Sequence, residues 1–98
     1  MLQMKRPGPD VVELIGSLSI HTVEQLYQEL QELKELTVPE NESEPITFKM
    51  EQVSDVDLSG LQTLLAYKMG RPKDTVRFSM PEEIQRLCRL CGLDKYLS

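Results

Sequence analysis

The apolar residues of this chain change period several times, and that constrains the fold more than any composition value. From Val11 to Ile20 they fall on alternate positions, with Val12, Leu14 and Leu18 on one side and Gly16 in the same row. From Val23 to Leu36 they recur every three or four residues, as Val23, Leu26, Tyr27, Leu30, Leu33 and Leu36. A period of two describes a strand with one buried face, and a period near 3.6 a helix with one buried stripe. The alternation returns at Ile46, Phe48 and Met50, and the helical period at Leu61, Leu64, Leu65 and Lys68, with Leu58 one turn earlier. A short strand over 75–78 and a stripe of Ile84, Leu87, Cys88 and Cys91 complete the pattern.

The first segment, Leu2 to Arg6, reads as another strand, turned back by Pro7-Gly8-Pro9-Asp10. The order is strand, strand, helix, strand, helix, strand, helix. This predicts an α/β fold with a four-stranded mixed sheet and the helices packed mainly on one side. The first two strands pair as a hairpin, and the later ones are joined by helical crossovers. With 98 residues, a single domain over 1–98 is expected.

Local signals mark the element ends. Thr22 is a candidate N-cap, with Gln25 at the capping-box position. Pro39 ends the first helix, and an acidic loop runs from there to Pro45. Gly70 suits a left-handed helix end, Gly92 ends the last helix, and Ser79 can cap the helix that Pro81 opens. Gly16 suggests a bulge or a close helix approach. Leu93 and Leu97 are expected to pack the tail onto the body.

Charge narrows the partners. The formal net charge is −5, which disfavours a phosphate backbone as the main ligand. Seven glutamates lie between Glu24 and Glu44 against the single Lys34, either a solvated flank or an acidic docking surface. Arg71, Lys73 and Arg77 form a small basic group, serving solubility or an acidic partner. No apolar run is long enough to span a bilayer and no signal-peptide pattern opens the chain, so a cytoplasmic location without direct membrane insertion is expected.

The sharpest local constellation is Asp55-Val56-Asp57-Leu58-Ser59-Gly60, at a strand-to-helix junction. Free N–H groups at a helix start stabilise negative charge, a phosphate included. Asp57 can cap that turn, and Gly60 lets another chain come close to the Ser59 hydroxyl. Ser59 is then either part of a plain helix start or an exposed, modifiable hydroxyl. A nucleophile elbow needs a glycine two positions before the serine, and Asp57 stands there instead. His21 is the only histidine, and it reads as a polar junction residue. Cys88 and Cys91 fall late in a helix on or near its apolar stripe, so both are expected as reduced thiols facing the core or packed under the C-terminal tail, with no metal site. Isolated glycines form no phosphate loop, and no cofactor is expected.

At these residues the chain resembles the STAS domain family, to which bacterial anti-sigma factor antagonists belong. The likeness lies in Leu14-Ile-Gly-Ser-Leu-Ser-Ile-His-Thr22, in Val53-Ser-Asp-Val-Asp-Leu-Ser-Gly-Leu-Gln-Thr-Leu-Leu65 and in the closing strand and helix from Val76 to Leu93. The resemblance implies a non-enzymatic switch that binds a serine-kinase-type anti-sigma factor or a related regulator. It makes Ser59 the phosphoacceptor, supported by Asp57, Gly60 and Asp55. It places the partner against Ser19, His21, Thr22, Leu58 and Gln62. Gly16-Ser17-Leu18-Ser19 lacks the carboxylates that the family often carries in this strand. STAS domains also serve as subunits of lipid-transport ATPase complexes in the membrane, where Ser59 would be structural, and as adaptors in chemotaxis-type clusters.

Overall fold

A computed structural model describes residues 2–8, 10–36, 45–72 and 75–97. The strands are β1 (Leu2–Gly8), β2 (Val11–Leu18), β3 (Ile46–Val56) and β4 (Val76–Ser79). The helices are α1 (Val23–Leu36), α2 (Leu58–Met69), α3 (Glu82–Leu90) and α4 (Asp94–Leu97). They build a four-stranded sheet of order β1-β2-β3-β4. β1 and β2 pair antiparallel, while β2–β3 and β3–β4 pair parallel. The connections dictate this pattern. A tight turn can only reverse the chain, whereas α1 and α2 carry it back across the sheet to start the next strand in the same direction.

The period-two rows form the floor of the core. Leu2, Val12, Leu14, Leu18, Ile46, Phe48, Met50 and Val76 are buried on one sheet face. Leu26, Leu30 and Leu33 of α1, Leu61 and Leu64 of α2, and Ile84 and Cys88 of α3 cover them. The helices therefore lie on one side, as expected from the mixed sheet. Phe48 anchors the centre, its ring edge-on to Tyr67 and stacked on Phe78, each at 5.6 Å between centroids. Leu97 is buried and Leu93 packs on the core, so the tail folds back as expected.

Several local expectations are corrected. β3 runs to Val56, so Val53–Val56 is strand and not a connection; pairing with β2 continues through two register shifts. β1 likewise includes Pro7 and Gly8, with its pairing irregular between Lys5 and Gly8. β2 stops at Leu18, and Ser19 and Ile20 already belong to the turn. Thr22 does not cap α1: its hydroxyl accepts from Ser19 N (3.0 Å) and donates to Ser17 O (2.8 Å). Gln25 reaches across to β1, donating to Leu2 O at 2.7 Å. Gly70 is right-handed (φ −82°), because the chain leaves α2 through a further helical turn in which Arg71 N donates to Lys68 O. Ser79 sits in β4, where its hydroxyl donates to Glu51; Pro81 takes the N-cap position of α3 without a side-chain cap. Leu58 and Tyr27 are exposed, off the buried faces of their helices. Pro9, the Pro39 stop and acidic loop up to residue 44, and residues 73 and 74 lie outside the described residues, as does the side chain of Leu36.

Three glycine positions carry geometric meaning. Gly16 takes φ 101° where the β2–β3 register shifts, the bulge read from the sequence. Gly92 takes φ 73° just past α3, and Leu93 N closes on Cys88 O at 2.8 Å. The close approach belongs to Gly60, whose added Cβ would stand 2.4 Å from Leu18 O. The absent side chain thus serves a contact inside the fold, not the approach of another chain. Alanine would gain about 1 kcal/mol of helix propensity there, but the obstacle is backbone. Gly60→Ala is therefore expected to destabilise by about 1–3 kcal/mol net, read from urea unfolding midpoints.

The cysteines separate. Cys88 is buried against Met80 (Sγ to Sδ 3.9 Å), while Cys91, at the C-cap of α3, is exposed. Cys91 keeps a right-handed helical backbone (φ −92°), but at the last turn of α3 its side chain is left exposed, against the expectation of a core thiol. Burial raises the Cys88 pKa, with lesser contributions from Cys91 and Asp94. Native-state alkylation by iodoacetamide should label Cys91 rapidly and Cys88 only slowly. Equal rates would contradict the placement.

Candidate functional site

The parallel strands β2 and β3 both end at the same edge of the sheet and turn into α1 and α2. In open α/β sheets this carboxyl edge is where crevices form. Here one carboxylate organises it. Asp57, the N-cap of α2, accepts from Gly60 N at 3.2 Å through Oδ1 and from Ile20 N at 2.9 Å through Oδ2. Its own N–H donates to Leu18 O at 3.0 Å. The first bond satisfies a free donor at the helix start. The second ties that helix to the β2–α1 turn.

The turn is built from short hydroxyl side chains. Ser17 Oγ donates to Ser19 Oγ (3.1 Å), which accepts from His21 N (3.3 Å); Thr22 closes the loop on the Ser17 carbonyl. Ser19 and Thr22 thereby satisfy backbone groups locally, and Ser17 braces the Ser19 hydroxyl. The result presents Ile20, 60% exposed, and His21 at the surface.

Ser59 is the second residue of α2 and half-buried. Its carbonyl accepts from the Thr63 hydroxyl at 2.9 Å, while its own hydroxyl has no hydrogen-bond partner among the described residues. It lines a groove of about 450 Å³ between α1 and α2, together with Ile20, Val23, Tyr27, Gln62, Ala66, Tyr67 and Arg71. The groove is mainly apolar, and Tyr27 stands 57% exposed on its rim.

The residues singled out from sequence divide between two surfaces. Ser59 and Gln62 line the groove, and exposed Leu58 lies at the same helix start. Ser19, His21, Thr22, Asp55 and Asp57 line a second depression at the strand ends, with Ser17 and Val56. Thr22 is buried and its hydroxyl is spent within the turn, so it shapes the loop and offers little to a partner. Gly60 is buried too, and acts by letting α2 approach β2. The groove residues Ile20, Tyr27, Ala66 and Tyr67 carry no site signal in the sequence, and Arg71, read there as part of a small basic group, joins them. Tyr27 falls on the helical stripe and reads as core; only the meeting of two helices opens a groove beside it. Among the described residues no group of three or more His, Cys, Asp or Glu side chains could hold a metal, and no helix is long and apolar enough to cross a membrane.

No family sequence model matches the chain, and no curated protein matches it in sequence. Solved structures do match it. An anti-sigma factor antagonist from Mycobacterium paratuberculosis aligns with a TM-score of 0.71 at 22% identity, over 99% of this chain and 81% of that one. A chain of the Acinetobacter MlaFEDB complex, in an ATP-bound conformation, aligns with a TM-score of 0.70 at 22% identity, over 91% of this chain and 92% of its own. The anti-sigma factor antagonist SpoIIAA, in its unphosphorylated form, aligns with a TM-score of 0.65 at 17% identity, over 100% of this chain and 86% of its own. The phosphorylated form of the Bacillus protein aligns with a TM-score of 0.60 at 18% identity, over 100% of this chain and 89% of its own. The chain therefore has the STAS α/β fold of these proteins.

The Ile20 N–H, foremost, and then those of Gly60 and Ser59, hold the Asp57 carboxyl below the usual aspartate range, against an opposing desolvation. A folded-state pKa below the unfolded one adds stability above the unfolded value, and that stability is lost as pH falls through the folded one. The stability gap between wild type and Asp57→Asn should hold steady from neutral pH to about 4 and close below it. Chemical denaturation across that pH range measures it. A gap that widens in acid would contradict the sign.

Proposed function

We propose that this chain is a non-enzymatic switch that binds a regulatory protein partner across the α1–α2 groove and the neighbouring turn, and that phosphorylation of Ser59 releases it. The observation that carries the reading is the Ser59 hydroxyl, without a hydrogen-bond partner among the described residues, at the second position of α2 and the mouth of a mainly apolar groove. A kinase needs such a hydroxyl, and a docked protein would cover it. Two relatives in fold are named as anti-sigma factor antagonists, and one of these has been solved in a phosphorylated form. The partner on this reading is a serine-kinase-type anti-sigma factor or a similar regulator, meeting Ile20, His21, Leu58 and Gln62, with Ser19 behind them. Such a domain works in the cytoplasm.

A phosphate on Ser59 would carry about −1.5 to −2 charge at pH 7. The helix start could hold it without loss of fold. Asp57, held as a carboxylate beside it, and Asp55 farther along the strand end would add like charge at the packed surface. Repulsion and desolvation of about 1–3 kcal/mol would weaken the partner by roughly 5- to 150-fold.

A second reading is favoured by one observation. The match to a chain of the MlaFEDB complex covers more than nine-tenths of both chains. On that reading the protein is a constitutive subunit of a multi-chain transport ATPase, and Ser59 is structural.

The two are separated by isolating the partner from native lysate, taking the intact mass of the chain, and measuring calorimetric affinities. On the switch reading a kinase labels wild type but not Ser59→Ala. Ser59→Ala binds like the unmodified chain, the phosphorylated form binds roughly 5- to 150-fold more weakly, and Ser59→Asp reproduces part of the loss. Equal affinities with no labelling would establish the subunit reading instead.

A further inference from the structure

The far end of α2 carries a second surface. α2 spans about 17 Å from Leu58 to Met69, so this surface is well removed from Ser59. There Leu65, Met69 and Tyr96 form a shallow depression of about 390 Å³, rimmed by Lys68, Arg71 and Lys95. Met69 is 72% exposed and Tyr96 51%, two of the large apolar side chains that the described fold leaves in water. α4 brings them together: Lys68 Nζ donates to Tyr96 O at 2.6 Å and pins this short helix onto α2.

Its charge runs opposite to that of the whole chain. The chain carries a formal −5, yet among the described residues no carboxylate lines this depression. Lys68 donates to a neutral carbonyl, and neither it nor Lys95 forms an ion pair among the described residues. Arg71 packs over the Tyr67 ring and donates to its hydroxyl at 3.3 Å, so its guanidinium is held at the rim. Apolar contacts surrounded by cations select a ligand with the reverse pattern.

We infer that this α2–α4 surface is a second docking site, and that its occupant is an acidic amphipathic peptide segment of a protein partner. Two apolar side chains one helical turn apart would cover Met69 and Tyr96, and flanking carboxylates would meet Lys68 and Lys95. Such a site can tether a partner while Ser59 is open or closed, since Ser59 and Met69 lie about 15 Å apart along α2, with Arg71 bordering both the groove and this depression. The inference does not depend on Ser59 being phosphorylated.

The test is selection of a random peptide library on phage against the immobilised, unmodified chain, with the enriched peptides synthesised and their affinities read by fluorescence anisotropy. Enriched sequences should pair aromatic or aliphatic residues with two or more acids. They should bind about tenfold more weakly to Lys95→Glu and about fivefold more weakly to Met69→Ser. Both side chains are exposed, and a thermal melt confirms that each variant folds. Affinity should be the same for Ser59→Asp and should fall with added salt. Failure to enrich any sequence, enrichment of neutral or basic sequences, or affinities unchanged in both surface variants would overturn the site. Binding to phosphatidylglycerol vesicles that the acidic peptides fail to displace would overturn it too, and would assign the surface to a membrane.

Discussion

The Asp57 carboxylate, held between the N–H groups of Ile20 and Gly60, joins two strand-to-helix turns that are 37 residues apart in sequence. The exposed features of the carboxyl edge depend on this bond pair. It sets the start of α2, and with it the position of Ser59 at the mouth of the groove. It also holds the β2–α1 turn so that Ile20 faces solvent and not the core. The contact works only because Gly60 has no side chain, which lets the first turn of α2 rest on the Leu18 carbonyl. A capping aspartate and a glycine three residues later are thus two halves of one joint.

That joint explains how a small α/β domain can present a modifiable hydroxyl without loosening its core. Leu61 and Leu64, in the same helix as Ser59, are fully buried against the sheet. Apolar burial of this kind contributes about 1.5–3 kcal/mol per side chain, so α2 is anchored by residues that a phosphate would not touch. The helix then offers chemically different surfaces: a mainly apolar groove that starts at the Ser59 hydroxyl and runs to Arg71, and beyond it a cationic rim around exposed methionine and tyrosine. The acidic character of the whole sequence hides this division, since net charge averages over the surface.

Much of the architecture follows from side-chain periodicity. Val12, Leu14 and Leu18 must share a face if the segment is extended, and Leu26, Leu30 and Leu33 must share a stripe if theirs is helical. Both requirements are local, so they survive without knowledge of the neighbours. Ends of elements are decided differently. Thr22, Gly70 and Ser79 have the chemistry of caps, yet each found a competing partner or conformation: a strand carbonyl, a continued turn, and a glutamate on the next strand. A hydrogen bond of about 1 kcal/mol is easily outweighed by another of equal strength that the fold brings nearer.

The element types and order from β1 to α3, the mixed sheet, the buried faces and the junction carrying Asp57, Ser59 and Gly60 are legible in the chain alone, while the short helix α4 is not. These depend on residues close along the chain. The assembled fold adds that β3 extends through Val56, that Cys91 stays outside the core that Cys88 joins, and that Tyr27 borders a groove. It also decided that Asp57 reaches Ile20 and that Lys68 and Tyr96 meet. The physical reason is common to all of them. Each is a contact, or the lack of one, between segments far apart in sequence, and its strength depends on distances that exist only once the sheet has stacked its helices on one face.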